Sequence, residues 1–178
     1  MIKITSKQIT LTAFFIALGV IVPFVFHQVA LAGRIFLPMH IPVLLAGIFV
    51  GPLSGLFVGL TCPVISFFLT GMPPPYAVPL MSLELSIYGI TIGILMGWVK
   101  PTKSPLLSWL MIILALLVTM VLGRLAFALG LFVFGMFLSL PYGPKEYIKV
   151  SAITGLPGIL LQLILIPLLV KTFRRAKR

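Results

Sequence analysis

The sequence predicts an all-α integral membrane protein with six transmembrane helices and both termini in the cytoplasm. Three observations lead there. Hydrophobic residues make up 61% of the 178, charged residues only 8%, and mean hydropathy is +1.27, whereas soluble domains run about 45–50% apolar and about 25% charged. The apolar runs are long and lack strand alternation, and in lipid only helices or closed barrels satisfy every backbone group. The basic residues gather at the ends of those runs. One membrane domain, 1–178, is expected to fill the chain, with no soluble domain beside it.

Taken in order, a first helix is expected over 6–26, with Ser6 as its N-cap and Pro23 bending its outer end. Its basic start precedes an apolar run without a small-residue cleavage site, so it reads as a retained span. The stretch over 33–75 organises the rest: a loop carrying Arg34, a short helix over 38–50, a Gly51-Pro52 turn, a helix over 52–70 and the loop GMPPPYAV over 71–78. Three prolines keep that loop from being helical. A span needs ~20 residues, so 38–50 is too short to cross alone. The stretch therefore reads as a hairpin set in the membrane, both ends opening on one side. Further helices are expected over 79–98, 105–138 and 146–173. The fifth is longer than a bilayer is thick and should tilt, bend or project.

Counting charges orients the bundle. Lys3, Lys7, Lys100, Lys103, Lys171, Arg174, Arg175, Lys177 and Arg178 fall on the side of the termini, while Arg34, Lys145 and Lys149 fall opposite. Lys and Arg favour the cytoplasmic side, which places both termini there. The same pattern explains the formal charge of +11 as topology and sets aside a nucleic-acid partner. Trp98 and Trp109 flank the cytoplasmic loop, and Tyr76, Tyr142 and Tyr147 lie near the outer ends, as interfacial aromatics do. The Pro/Gly-rich outer loops over 27–38, 71–78 and 139–146 are the expected mouth of a binding site.

Small residues recur at helical spacing: Ala13 and Ala17; Gly51, Gly55 and Gly59; Gly89, Gly93 and Gly97. Such strips let helix backbones approach closely in lipid. For the glycines the expectation is internal packing; Ala13 and Ala17 could equally dock another membrane subunit. Cys62, the single cysteine, reads as a small packing residue.

Intramembrane polar residues are few. Glu84 lies about one and a half turns below the outer end of the fourth helix, and Arg124 near the middle of the fifth, where a charge costs at least ~2.5 kcal/mol. Two readings stay open and do not exclude each other: a structural Glu84–Arg124 pair, or an Arg124 that meets an anionic ligand. Gln162 and Tyr88 stand at comparable depth, as packing residues or ligand contacts. His27 and His40 bracket the first outer loop and read as polar caps of its ends; two histidines without a third ligand make no metal site. Arg34 is either a solvated loop charge or a lid contact to an anion.

Missing features narrow the function. The sequence has no phosphate loop, no paired carboxylates, no nucleophile with a base and no H-E-x-x-H. Two acidic residues leave little for a proton or sodium relay, and matching half-repeats are absent. No enzyme activity and no cofactor are expected. A small helical membrane protein with an outer pocket and no energy source suggests a binding subunit driven by partners.

Four segments carry a resemblance: FLPMHIPVLLAGIFVGP over 36–52, TGMPP over 70–74, LELSIYG over 83–89 and GLPGILLQLILIPLLV over 155–170. They are similar to the substrate-binding S components of energy-coupling factor (ECF) vitamin transporters, and the chain looks most like the pantothenate branch. The resemblance implies a six-helix protein of the bacterial cell membrane that binds a vitamin under its outer loops. It further implies association with a transmembrane coupling subunit and two cytoplasmic ATPases, with toppling in the membrane to deliver the cargo. An AxxxA strip on the first helix contacts the coupling subunit in such proteins, and Ala13 and Ala17 match it. The family's pocket lies under the outer loops and among helices four to six. On chemistry and depth that points to Arg34, Tyr76, Glu84, Tyr88, Arg124 and Gln162. Folate, riboflavin or pyridoxine as cargo, or a stand-alone secondary carrier, are the alternatives.

Overall fold

The computed structural model describes residues 5–27, 36–99, 104–136, 143 and 155–176. The expectations for Arg34, for the loop 139–146 apart from Gly143 and for the outer tyrosines 142 and 147 lie outside the described residues, as does the side chain of His27. Every regular element described is an α-helix: α1 Ser6–His27, α2 His40–Phe49, α3 Pro52–Thr70, α4 Ala77–Trp98, α5 Pro105–Gly135 and α6 Leu156–Ala176. All but α2 are long and apolar enough to cross a membrane.

Local chemistry sets the ends. α1 is capped by Thr5 rather than Ser6: Thr5 Oγ1 accepts from the Gln8 backbone N–H at 3.3 Å while Gln8 Oε1 accepts from the Thr5 N–H at 3.0 Å. This is the reciprocal capping box of a Thr-x-x-Gln start. α2 begins at His40, later than expected, because Leu37 turns the chain first: its carbonyl accepts from the His40 N–H at 3.1 Å. Between α2 and α3, Gly51 adopts φ +132°, a conformation that a side chain would strain, and Pro52 takes the first-turn position where its missing N–H costs nothing. Ser104 caps α5 by accepting from the Leu107 N–H at 3.4 Å. For the last helix, Gly155 forms a turn and α6 starts at Leu156; the expected earlier turns over 146–154 fall outside the described residues.

Helix pairing follows the small residues. A Cβ on Gly55 would lie 2.7 Å from the Gly89 Cα, one on Gly59 would meet the Leu85 backbone, and one on Gly93 would lie 2.5 Å from the Pro52 Cα. α3 and α4 are therefore antiparallel and in backbone contact, since only glycine permits that approach. Gly47 brings α2 onto the same face of α4, where its Cβ would lie 2.5 Å from the Gly89 carbonyl. The strips are shorter than their spacing implied: Gly51 and Gly97 have nothing to pack against. On α1, Gly19 makes room for Cys62 of α3, whose buried thiol packs as a small side chain, and Thr12 donates to or accepts from Ser54 at 2.8 Å.

The contacts Thr12–Ser54, Pro52–Gly93, Phe49–Phe173 and Lys171–Trp109 gather the starts of α1, α3 and α5 and the ends of α2, α4 and α6 at one end of the bundle. The core runs between the helices from Phe15 and Val43 through Val58, Leu85 and Ile92 to Leu116 and Ile166. Outward faces are apolar as well, among them Phe14, Phe68, Leu114, Val121, Leu129 and Ile164. Water would not tolerate so large an apolar surface on a monomer; hydrocarbon does.

Candidate functional site

The face of α4 that carries Leu80, Glu84 and Tyr88 at one-turn intervals packs on α5, and two glycines of α5 make the room. A Cβ on Gly123 would lie 3.0 Å from the Tyr88 ring, and one on Gly130 would lie 2.9 Å from Leu80 Cδ2. Tyr88, 2% exposed, lies against α5 at Gly123 and donates its hydroxyl to the Met120 carbonyl at 3.4 Å. Arg124, next to Gly123 in sequence, reaches Glu84 with Nη1 to Oε1 at 3.1 Å. The Glu84 side chain is 3% exposed and that of Arg124 19%. The structural pair anticipated between these residues is present.

A fourth residue joins them from α2. His40 is 4% exposed; its ring meets Tyr88 edge to face at 5.0 Å between centroids, and Nε2 lies 4.0 Å from Glu84 Oε1. Neither ring nitrogen makes a hydrogen bond among the described residues. His40 thus does not cap a loop end in solvent, as its sequence position suggested; it is part of a buried cluster. The signal that could have found it is the one that found Glu84, an ionisable side chain inside an apolar run.

Of the remaining expected site residues, Gln162 and Tyr76 are described. Gln162 of α6 is 1% exposed, with Nε2 lacking a hydrogen bond among the described residues. Thr119 of α5 and Ser82 of α4 are buried with their hydroxyls in the same condition. Tyr76, the residue before α4, is 40% exposed, about two turns beyond Glu84. Ala13 and Ala17 lie on the exposed side of α1 with Ile9 and Ile21, away from the core face of Phe15, Gly19 and Pro23. Among the described residues no group of three His, Cys, Asp or Glu could hold a metal ion.

Five helices long and apolar enough to cross a membrane, two of them joined by the Glu84–Arg124 pair, mark a multi-pass membrane protein. The family model described as ECF transporter, substrate-specific component matches residues 7–171, nearly the whole chain. The protein belongs to that family: it is a substrate-binding component that works with ECF coupling and ATPase modules on a small-molecule substrate. No curated protein and no solved structure matches the chain.

Proposed function

We propose that this protein captures a vitamin, pantothenate in the first place, at the extracellular face and delivers it through a coupling subunit and two cytoplasmic ATPases. In this reading six helices lie in the bacterial cell membrane with both termini cytoplasmic, and the site comprises Arg34, Tyr76, Glu84, Tyr88, Arg124 and Gln162. The observation that carries it is Arg124, a partly exposed cation in a long, mostly apolar helix, paired with the buried Glu84.

A guanidinium has five donors in a planar fork and can hold two carboxylates at once. Glu84 fixes its orientation; the single carboxylate of pantothenate supplies the second partner. The vitamin's hydroxyls and amide suit Gln162 and the buried hydroxyls, and its gem-dimethyl group suits the apolar walls. The outer loops expected over 27–38 and 71–78 close over the bound vitamin, and binding stabilises the closed form by mass action. Binding alone cannot move cargo uphill, since a ligand shifts an equilibrium only by its differential affinity. The exposed Ala13–Ala17 strip docks the coupling subunit.

The test is uptake of labelled pantothenate into proteoliposomes containing this chain alone or with the coupling subunit and both ATPases. Uptake only in the full complex, and only with ATP, supports the proposal. ATP-independent flux by the chain alone would contradict it.

A further inference from the structure

We propose that the basic end of α6 is a binding site for a phospholipid with an anionic headgroup. Lys171, Arg174 and Arg175 hold the headgroup, and an acyl chain lies along the apolar stripe of the same helix. The inference goes beyond the transport reading and does not depend on which vitamin is carried.

Charge is the first observation. Five of the last eight residues, KTFRRAKR over 171–178, are Lys or Arg, against eight in the other 170. Holding one end of a chain on one side of a membrane asks only that Lys and Arg lie near span ends; it does not crowd them onto one helix. Lys171 stands three residues before Arg174 and four before Arg175, spacings at which like charges destabilise a helix. The chain has two acidic side chains for thirteen cations, so part of this cluster draws its counterions from outside.

Position makes that outside partner a lipid. On α6, Leu160, Ile164 and Leu168 are each more than half exposed, and their four-residue spacing puts them on one line of the helix. The same line continues at Lys171 and Arg175. From Leu160 to Lys171 the helix rises about 16 Å, close to half of the ~30 Å hydrocarbon core. An aliphatic stripe one leaflet deep that ends in cations has the pattern of an acyl chain that ends in a phosphate. Lys171 Nζ also lies 5.9 Å from the centre of the Trp109 ring on α5, a cation–π contact of the kind found where indoles mark the headgroup level. The arginines add planar forks, which pair with phosphate through two hydrogen bonds at once. An acidic protein surface would use the cations and leave the stripe idle.

The test is native mass spectrometry of the purified full chain in detergent, titrated with phosphatidylglycerol and with phosphatidylcholine of the same acyl chains. Phosphatidylglycerol should bind about a hundredfold more tightly, at about fivefold for each of three cations, and rising salt should erode the difference. The triple variant Lys171→Gln, Arg174→Gln, Arg175→Gln should lose that preference. Exchanging Lys and Arg at the three positions, which keeps the charge, should retain most of it, and Lys7→Gln at the same end of the bundle should change little. The soluble headgroup glycerol 1-phosphate should not displace the lipid. Equal binding of the two lipids to the wild type overturns the proposal whether or not the variants fold. Displacement by equimolar glycerol 1-phosphate would make this a site for free anions and overturn the lipid assignment. An undiminished preference in a folded triple variant overturns it too, and if that variant also fails to assemble with the coupling subunit and ATPases, the cations belong to a protein contact.

Discussion

Glu84 Oε1 on α4 stands 3.1 Å from Arg124 Nη1 on α5, in a chain with only two acidic residues. The pair joins two helices across the bundle and sets one oriented cation inside it. Removing Arg124 leaves the buried Glu84 carboxylate without this counterion, which costs about 3–5 kcal/mol, while removing Glu84 leaves a partly exposed guanidinium and costs less. Arg124→Met should therefore lower the melting temperature in detergent strongly, Glu84→Met less so, and the double variant should melt above Arg124→Met. Additive losses would mean that the two side chains do not interact.

Close glycine packing of α3 on α4 yields a contrast between two positions of similar sequence context. Gly55→Val would drive a side chain into the Gly89 backbone, and overpacking of this kind costs about 1–3 kcal/mol or more. Gly97→Ala meets nothing and should be neutral or gain up to about 1 kcal/mol in helix propensity. Thermal unfolding of the two variants measures the difference; equal effects would contradict the α3–α4 register.

Tyr88 combines a ring packed against Gly123 and edge to face with His40 with a hydroxyl on the Met120 carbonyl. Tyr88→Phe keeps the ring and removes that hydrogen bond, for a loss of about 0.5–1.5 kcal/mol. Chemical unfolding in mixed micelles checks the value. A loss as large as that of Arg124→Met would show that the hydroxyl supports the ion pair as well.

Much of this arrangement was legible in the sequence because the membrane makes polar residues rare. Glu84 and Arg124 stood out by their cost in hydrocarbon, and the glycine spacing announced close helix contacts. What sequence could not show was register. That Gly55 faces Gly89, and Gly59 faces Leu85, depends on how two helices slide past one another, which no local pattern encodes. His40 was misread for a related reason: the strained turn at Leu37 aims it inward, where a histidine at a loop end is ordinarily expected to face water. The Thr5 cap was readable from Thr-x-x-Gln but lost to the more common serine. The choice between a structural pair and a ligand-binding arginine is one that spacing leaves open; the structure shows the pair, at 3.1 Å.

Ala13 and Ala17 are exposed on α1 between Ile9 and Ile21, a smooth strip that internal packing does not use. Ala13→Trp or Ala17→Trp should leave vitamin affinity and melting temperature of the isolated chain within experimental scatter while abolishing ATP-driven uptake in the reconstituted complex. Loss of affinity and uptake together would remove the docking role from this strip.

The most direct test of the central claim is calorimetric titration of the purified chain with a panel of water-soluble vitamins, with Arg124→Ala beside the wild type. The account predicts tight binding of one carboxylate-bearing vitamin, pantothenate first, weakened at least about a hundredfold in the variant, as loss of a charge-assisted bidentate contact implies. Undiminished binding in a folded Arg124→Ala protein, or no binding anywhere in the panel, would contradict it.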